Sequence, residues 1–244
     1  MALSLLTLVS EAPGLKLNEI AKRAGLNKSR TLRLLVTLEH HRLIERDRDG
    51  NYRLGLQSLI LGSRAEDQID IVRVVQPHLD ALRDRTGETC QFRVRAGISS
   101  ICIAKSDSPH AIRAHLVIGR PRELYVGSGK VMLAFSESAL VERVIAEGLK
   151  SFTGRTLADP DRLRLELAAI RAQGHSVSRG ERLEGALAIG APVRDHTGEV
   201  AGCVSLLGPD HRIDPVIDDR IREVVAVAAE LTAVMGGASG HRMK

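Results

Sequence analysis

Leu17-Asn-Glu-Ile-Ala-Lys-Arg-Ala-Gly-Leu-Asn-Lys-Ser-Arg-Thr-Leu-Arg-Leu-Leu-Val-Thr-Leu38 decides the fold of the first third of the chain. Leu17, Ile20, Ala21 and Ala24 recur at i, i+3, i+4 and i+7, the spacing of one helix face. Gly25 follows and supplies the left-handed turn that ends such a helix. Asn27 or Ser29 caps the next helix, whose apolar face is expected at Leu32, Leu35, Val36 and Leu38. Small Ala21 sits where the two helices cross. This is a helix-turn-helix, and its second helix carries Lys28, Ser29, Arg30 and Arg33 outward near its N-terminus, the end that enters a major groove.

Upstream, Leu5, Leu6, Leu8 and Val9 open an amphipathic helix that stops at Ala12-Pro13-Gly14. The stretch Ala2–Val9 has no basic residue before it, so it reads as a helix and not as a signal peptide. Downstream, Leu43-Ile-Glu-Arg46 and Tyr52-Arg-Leu54 are two strand-like pieces joined by Asp47-Arg-Asp-Gly-Asn51, a hairpin turn. Three helices and a hairpin form a winged helix-turn-helix. Lys28 and Ser29 beside a helix N-terminus suit phosphate, and Arg30 and Arg33 suit guanine O6 and N7. Asn27 and Thr31 complete the set expected at DNA, and Arg46, Arg48 and Arg53 on the wing suit backbone or a narrow minor groove. Winged helices also serve as protein-interaction modules, and hairpin charges can simply be solvated.

Charge supports the DNA reading. Residues 1–62 hold ten basic and six acidic side chains, net +4, whereas the remaining 182 residues hold 25 and 24. A basic head on a nearly neutral body is what phosphate contacts require. Aromatic residues are only 2% of the 244, which excludes a base-stacking platform for single strands. Cys90, Cys102 and Cys203 are too few and too scattered for a disulfide framework or a zinc knuckle, and their apolar neighbours point to buried thiols in a reducing, cytoplasmic setting. No apolar run reaches the roughly 18 residues of a membrane span.

Residues 56–86 read as helix interrupted around Gly62 and at Pro77, with Ile69, Val72, Val75, Leu79 and Leu82 on one face. The expected organisation is a DNA-binding domain over 1–62, a connecting helix over 63–86, an effector domain over 87–236 and a flexible tail over 237–244, with Gly236 opening the glycine-rich end. Strands are expected at 90–95, 100–105, 111–117, 175–178, 186–193 and 199–207. Helices are expected at 129–136, 138–147, 159–173 and 214–235. Strands grouped between helices make an α+β domain with a mainly antiparallel sheet.

These motifs in this order resemble those of IclR-family transcriptional regulators. Further matches are Leu82-Arg-Asp-Arg-Thr-Gly-Glu-Thr89, Gly129-Lys-Val-Met-Leu-Ala134, Arg171-Ala-Gln-Gly-His-Ser176, Gly190-Ala-Pro-Val193 and Val204-Ser-Leu-Leu-Gly-Pro209. The resemblance implies a C-terminal effector domain with a GAF-like sheet, and homodimers joined through the N-terminal domains or homotetramers, on double-stranded DNA with paired half-sites. It places an effector pocket at Gly127, Ser128, Ser178, Ala188, Ser205 and Leu207. At three of these the chain departs from the small-acid pattern: Ser178 stands where an acid is common, Ala188 where a Cys is found, and Leu207 where a second Ser would be. The turn Tyr125–Lys130 is also one residue shorter. Lost polar groups and added volume point to an effector larger and more apolar than a two- or three-carbon acid.

The residues themselves give a matching signal. Strand 186–193 alternates small Ala186, Ala188 and Gly190 with larger Leu187, Ile189 and Val193, so its small face either packs closely on a neighbour or leaves a cavity. The backbone amides of Gly127-Ser-Gly-Lys130 face a helix start and could receive a carboxylate. Arg113, sharing a strand side with His115, could pair with one, or be a solvated sheet residue.

Enzyme signatures are lacking. Gly127-Ser-Gly-Lys-Val has Leu124 and Val131 where a phosphate-binding loop needs Gly and Ser or Thr. His110, His175, His196 and His211 lie at unrelated spacings, and no cofactor or metal is implied. The expected function is a ligand-responsive DNA-binding regulator. The alternative is a small-molecule sensor or enzyme whose winged domain binds protein.

Overall fold

The computed structural model describes residues 1–68 and 70–236, with side chains outside 65–70. Residue 69 and the tail expected over 237–244 lie outside the described residues, whereas Gly236 is described and bridges Asp195. Two compact units divide at Asp70/Ile71.

In the first unit, α1 (Ala2–Glu11) turns Leu5 and Val9 inward, one helical turn apart. α2 (Leu17–Arg23) begins where the Glu19 carboxylate accepts the Lys16 N–H at 2.8 Å, and it ends before Gly25, whose φ of +63° suits a residue without a Cβ. Of the two possible caps for α3 (Lys28–His40) the chain uses Asn27, whose Oδ1 accepts the Arg30 N–H at 2.9 Å. The buried face of α3 is Thr31, Leu35 and Leu38. Leu32 and Val36, expected in the core, are instead 40% and 52% exposed. The wing is β2 (Ile44–Arg46) against β3 (Asn51–Leu54), and β3 also pairs with a two-residue strand β1 (Leu15–Lys16) that the sequence reading missed. Leu5, Val9, Ile20, Leu35, Leu38, Ile44 and Tyr52 form one core, so helices and wing set each other's position. α4 (Leu56–Gln68) runs through Gly62 without a break and is tied to the wing by Ser58 Oγ donating to Leu43 O at 2.7 Å.

In the second unit, α5 (Asp70–Thr86) likewise continues through Pro77. A six-stranded, wholly antiparallel sheet follows. It comprises β4 (Thr89–Ala96), β5 (Ser99–Ser106), β6 (Pro121–Glu123), β7 (Ser176–Arg179), β8 (Ala186–Arg194) and β9 (Val200–Pro209), in the order β6-β5-β4-β9-β8-β7. The strand expected over 111–117 does not form: that segment has no regular structure, and the edge strand is the unforeseen β6. Between the strands lie α6 (Gly129–Ala134), α7 (Ser138–Ala146) and α8 (Pro160–Gln173). The closing helix expected over 214–235 is one 3-10 turn (Asp214–Val216) and α10 (Ile217–Val234), preceded by a short unforeseen α9 (Asp210–Ile213).

Each sheet face has its own core. Val75, Leu79 and Leu82 of α5 and Val224, Val227 and Leu231 of α10 cover Phe92, Leu187, Ile189, Val204 and Leu206. Residues expected in a connector therefore belong to the core of the second unit. The opposite face meets α6, α7 and α8 through Val131, Leu133, Val141, Leu163, Ile170 and Cys203. A Cβ at Gly190 would come within 2.8 Å of Ser128 Cβ and 3.1 Å of Cys203 Sγ, so glycine lets α6 lie close to β8. The small face of β8 thus does both things expected of it, packing closely at Gly190 and lining a cavity at Ala186 and Ala188.

Candidate functional site

Two surfaces carry chemistry. On the first unit, Lys28, Ser29, Arg30 and Arg33 are exposed around the first turns of α3, and no carboxylate pairs with these three cations among the described residues. Thr31 does not join them: it is fully buried, and its Oγ1 donates to Asn27 O at 3.0 Å. Asn27 spends its side-chain oxygen on the cap. The exposed Leu32 and Val36 lie three and seven residues after Ser29 and flank Arg33, so the outward face mixes apolar and basic groups. Sequence reasoning placed them inside because their hydrophobicity, taken alone, signals burial.

The wing tip is built by Asp47. Its Oδ1 accepts from Asn51 N at 2.8 Å and Asp49 N at 3.0 Å, and its Oδ2 accepts from Asn51 Nδ2 at 2.9 Å. These bonds, the Asn51 side chain first, hold the Asp47 carboxyl below its usual value. Arg46 lies over the Tyr52 ring, 5.6 Å from its centre, and Arg48 stands exposed at the tip. Arg53 is less free, since its Nε meets Glu45 at 3.1 Å in an exposed pair of the kind worth about 0–1 kcal/mol.

On the second unit a cavity of about 620 Å³ opens on the sheet face opposite α5 and α10. Its walls bring together Arg113, Gly127, Ser128, Ser178, Ala188 and Leu207, the first and last of which are 94 positions apart in the chain. Strand register explains part of this, because Ser178 pairs with Ala188 and Ala188 with Leu207. Ser205 is not in the wall. It is fully buried beside Gly190, and among the described residues its Oγ has no hydrogen-bond partner, nor has that of Ser176 across Gly190. The unstructured 112–116 segment supplies Ile112, Ala114 and Leu116 to the same lining as Arg113 and His115, so these five do not split between two sides.

The turn that could have received a ligand carboxylate is already bonded. Glu181 accepts the Gly127 N–H at 3.0 Å, and Lys130 donates to Glu181 at 2.5 Å and to Glu166 at 2.7 Å. Lys130 is fully buried, and among the described residues these two carboxylates are its counter-charge. The signal missed in the sequence is Arg93. It sits in the cavity wall only 5% exposed, and its partners are neutral: Ser100 Oγ at 3.0 Å, Ser100 O at 2.7 Å and Gln91 Oε1 at 3.2 Å. Cys203 has no acid–base partner, bonding weakly to Ser128 O and Val204 O, and burial pushes its thiol up to about 12. A thiolate nucleophile is therefore unavailable near neutral pH. No helix among the described residues is long and apolar enough to cross a membrane.

A basic winged helix-turn-helix followed by a sheet unit with an open cavity on one face defines a DNA-binding regulator with a small-molecule site. Residues 2–48 match the IclR helix-turn-helix domain, and residues 63–233 match the bacterial transcriptional regulator IclR C-terminal domain. The chain belongs to the IclR family of transcriptional regulators. It is similar to the regulator BhcR of Paracoccus denitrificans, at 32% identity over 95% of this chain and 84% of that one. It is also similar to the transcriptional repressor IclR of Escherichia coli, at 30% identity over 96% and 88%. An IclR regulator from Alicyclobacillus acidocaldarius superposes with a TM-score of 0.86 at 28% identity, covering 97% of each chain. A homologue from Microbacterium hydrocarbonoxydans, solved in complex with 4-hydroxybenzoate, shares the fold with a TM-score of 0.82 at 20% identity, covering 96% and 97%.

Proposed function

We propose that this chain is a cytoplasmic, homodimeric or tetrameric regulator that binds paired DNA half-sites, and that its effector is an organic acid with a sizeable apolar part. The volume and lining of the cavity carry this reading. About 620 Å³ falls within the roughly 300–1,000 Å³ of sites that enclose drug-sized ligands, far more than a two- or three-carbon acid fills. Ala188, Leu207, Val126 and Ile112 offer apolar wall, while Ser128 and Ser178 offer hydroxyls. The 4-hydroxybenzoate complex of the homologue makes that phenolic acid a reasonable first probe.

On DNA, Arg30 and Arg33 read guanine and Lys28 and Ser29 hold phosphate. Leu32 and Val36 stand where an apolar side chain meets a thymine methyl. Arg46 and Arg48 grip backbone or minor groove. Effector binding shifts the population of arrangements in which two winged heads fit their half-sites. A gel shift of the full chain on the DNA upstream of its own gene tests this. Binding that resists excess competitor DNA is expected, and equal binding to any duplex would refute it.

A further inference from the structure

Charge inside the cavity is unevenly placed. At the β4–β6 end lie Arg93, Arg122 and Arg182 with a single carboxylate, Glu123, and that acid is bonded to Arg182. Arg182 also lies over the Phe152 ring, 4.2 Å from its centre. Arg93 and Arg122 form no ion pair with a carboxylate among the described residues, and burial, the largest effect, disfavours their charged forms, as does Arg182, while Glu123 offsets this from a distance. The other acids of the wall do not serve them. Glu181 is held by Lys130, and Asp210 follows Pro209, the far end of β9, which is six residues beyond Cys203, the register partner of Arg93. At ~3.3 Å per residue that is about 20 Å away. Glu184 lies close to Ala186, which pairs with Pro209 at that same far end.

A guanidinium has five N–H groups, and three of those on Arg93 are used by Ser100 and Gln91. Those bonds fix the plane of the fork, leaving two donors and an uncompensated positive charge. A buried charge without a counter-ion is costly, and an anion that supplies one binds correspondingly well. Arginine matches a carboxylate in both geometry and charge.

We propose that Arg93, with Arg122 beside it, is the anion subsite of this cavity and takes the effector's carboxylate. The acid group then lies at the β4–β6 end, and the apolar part extends toward Ala188 and Leu207. The Gly127 turn, closed by Glu181, is a structural bracket and not the anion receptor. This rests on the reading of the cavity as the effector site.

Calorimetric titration of the full chain with benzoate, phenylacetate and 4-hydroxybenzoate, and with the uncharged 4-hydroxybenzamide, tests it. The wild type is expected to prefer 4-hydroxybenzoate over its amide by at least about tenfold. Arg93→Met should abolish that preference while leaving the amide's affinity within about twofold, and Arg93→Lys should restore part of it. The melting midpoint of ligand-free Arg93→Met should equal or exceed that of wild type, because a lone buried charge is gone. An acid preference that survives Arg93→Met overturns the subsite, as does a wild type that ignores all three acids, or an Arg93→Met chain that melts lower without ligand. Ala188→Phe separates the two readings. If it blocks acid and amide alike while Arg93→Met leaves the acid preference intact, the cavity stands and the Arg93 subsite falls. If both probes still bind to a folded Ala188→Phe chain, the cavity reading itself falls.

Discussion

Lys130→Met removes the cation that bonds Glu181 and replaces the lysine's apolar stem with a side chain of similar length. The carboxylate of Glu181 has 7% of its side chain exposed and would keep one hydrogen bond, from the Gly127 amide at 3.0 Å. Breaking a buried pair by deleting one partner costs about 3–5 kcal/mol, because the surviving charge stays desolvated. Glu166, with 32% of its side chain exposed, can turn to water and adds at most about 1 kcal/mol. The loss is therefore assigned to Glu181, and in a unit of this size it lowers the melting midpoint by about 6–20 °C. Urea unfolding followed by circular dichroism measures it, with Glu166→Gln and the double change Lys130→Met with Glu181→Gln run alongside. The double variant should recover at least about half of the loss, because no buried charge remains. A single Lys130→Met variant within about 1 kcal/mol of wild type, or a double variant no better than the single, would refute the reasoning.

Two predictions concern DNA. Arg33→Ala should weaken specific binding by roughly 1–3 kcal/mol and relax base preference at one position per half-site, measured by selection from randomised sites. An unchanged preference rules out base reading by Arg33. Arg48→Ala at the wing tip should weaken binding to all sequences similarly and lower the salt slope by about one unit, and a loss confined to one operator base would show that Arg48 reads sequence.

The parts of this protein that were legible in its sequence are those fixed by short-range chemistry. The α2-turn-α3 unit follows from helical spacing, one cap and one turn glycine, all within 22 consecutive residues. Periodicity alone misjudged what tertiary context decides. Leu32 and Val36 share the exposed side of α3 with Arg33, while Thr31, expected at DNA, is buried in the core. Pro77 and Gly62 weaken a helix by about 3 and 1 kcal/mol in isolation, but α5 has Val75, Leu79 and Leu82 buried to offset Pro77. Alternation at 111–117 signalled a strand, yet that segment finds no ladder partner, and all five of residues 112–116 line the cavity instead.

Six of the seven candidate pocket residues share the cavity wall; five of them came as a set with the resemblance, and Arg113 came from the reading of its own segment. Their roles at the ligand could not be read the same way. Whether the Gly127 turn is free, or Arg93 unpaired, depends on which carboxylates fold beside them. Glu181 is 51 residues from Lys130, and no local pattern announces that the pair will meet.

The central claim is that occupancy of the sheet cavity controls binding of the winged unit to DNA. Its most direct measurement is fluorescence anisotropy of the full chain on upstream DNA, titrated with 4-hydroxybenzoate and separately with glyoxylate, in wild type and Ala188→Phe. Overpacking at Ala188 commonly costs ~1–3 kcal/mol, so the variant is compared only after its melting midpoint shows it folded. The account predicts that the aromatic acid changes DNA affinity in the wild type at concentrations where glyoxylate does not, and that Ala188→Phe binds DNA normally but ignores both. A folded Ala188→Phe protein that responds at the wild-type ligand concentration would contradict it.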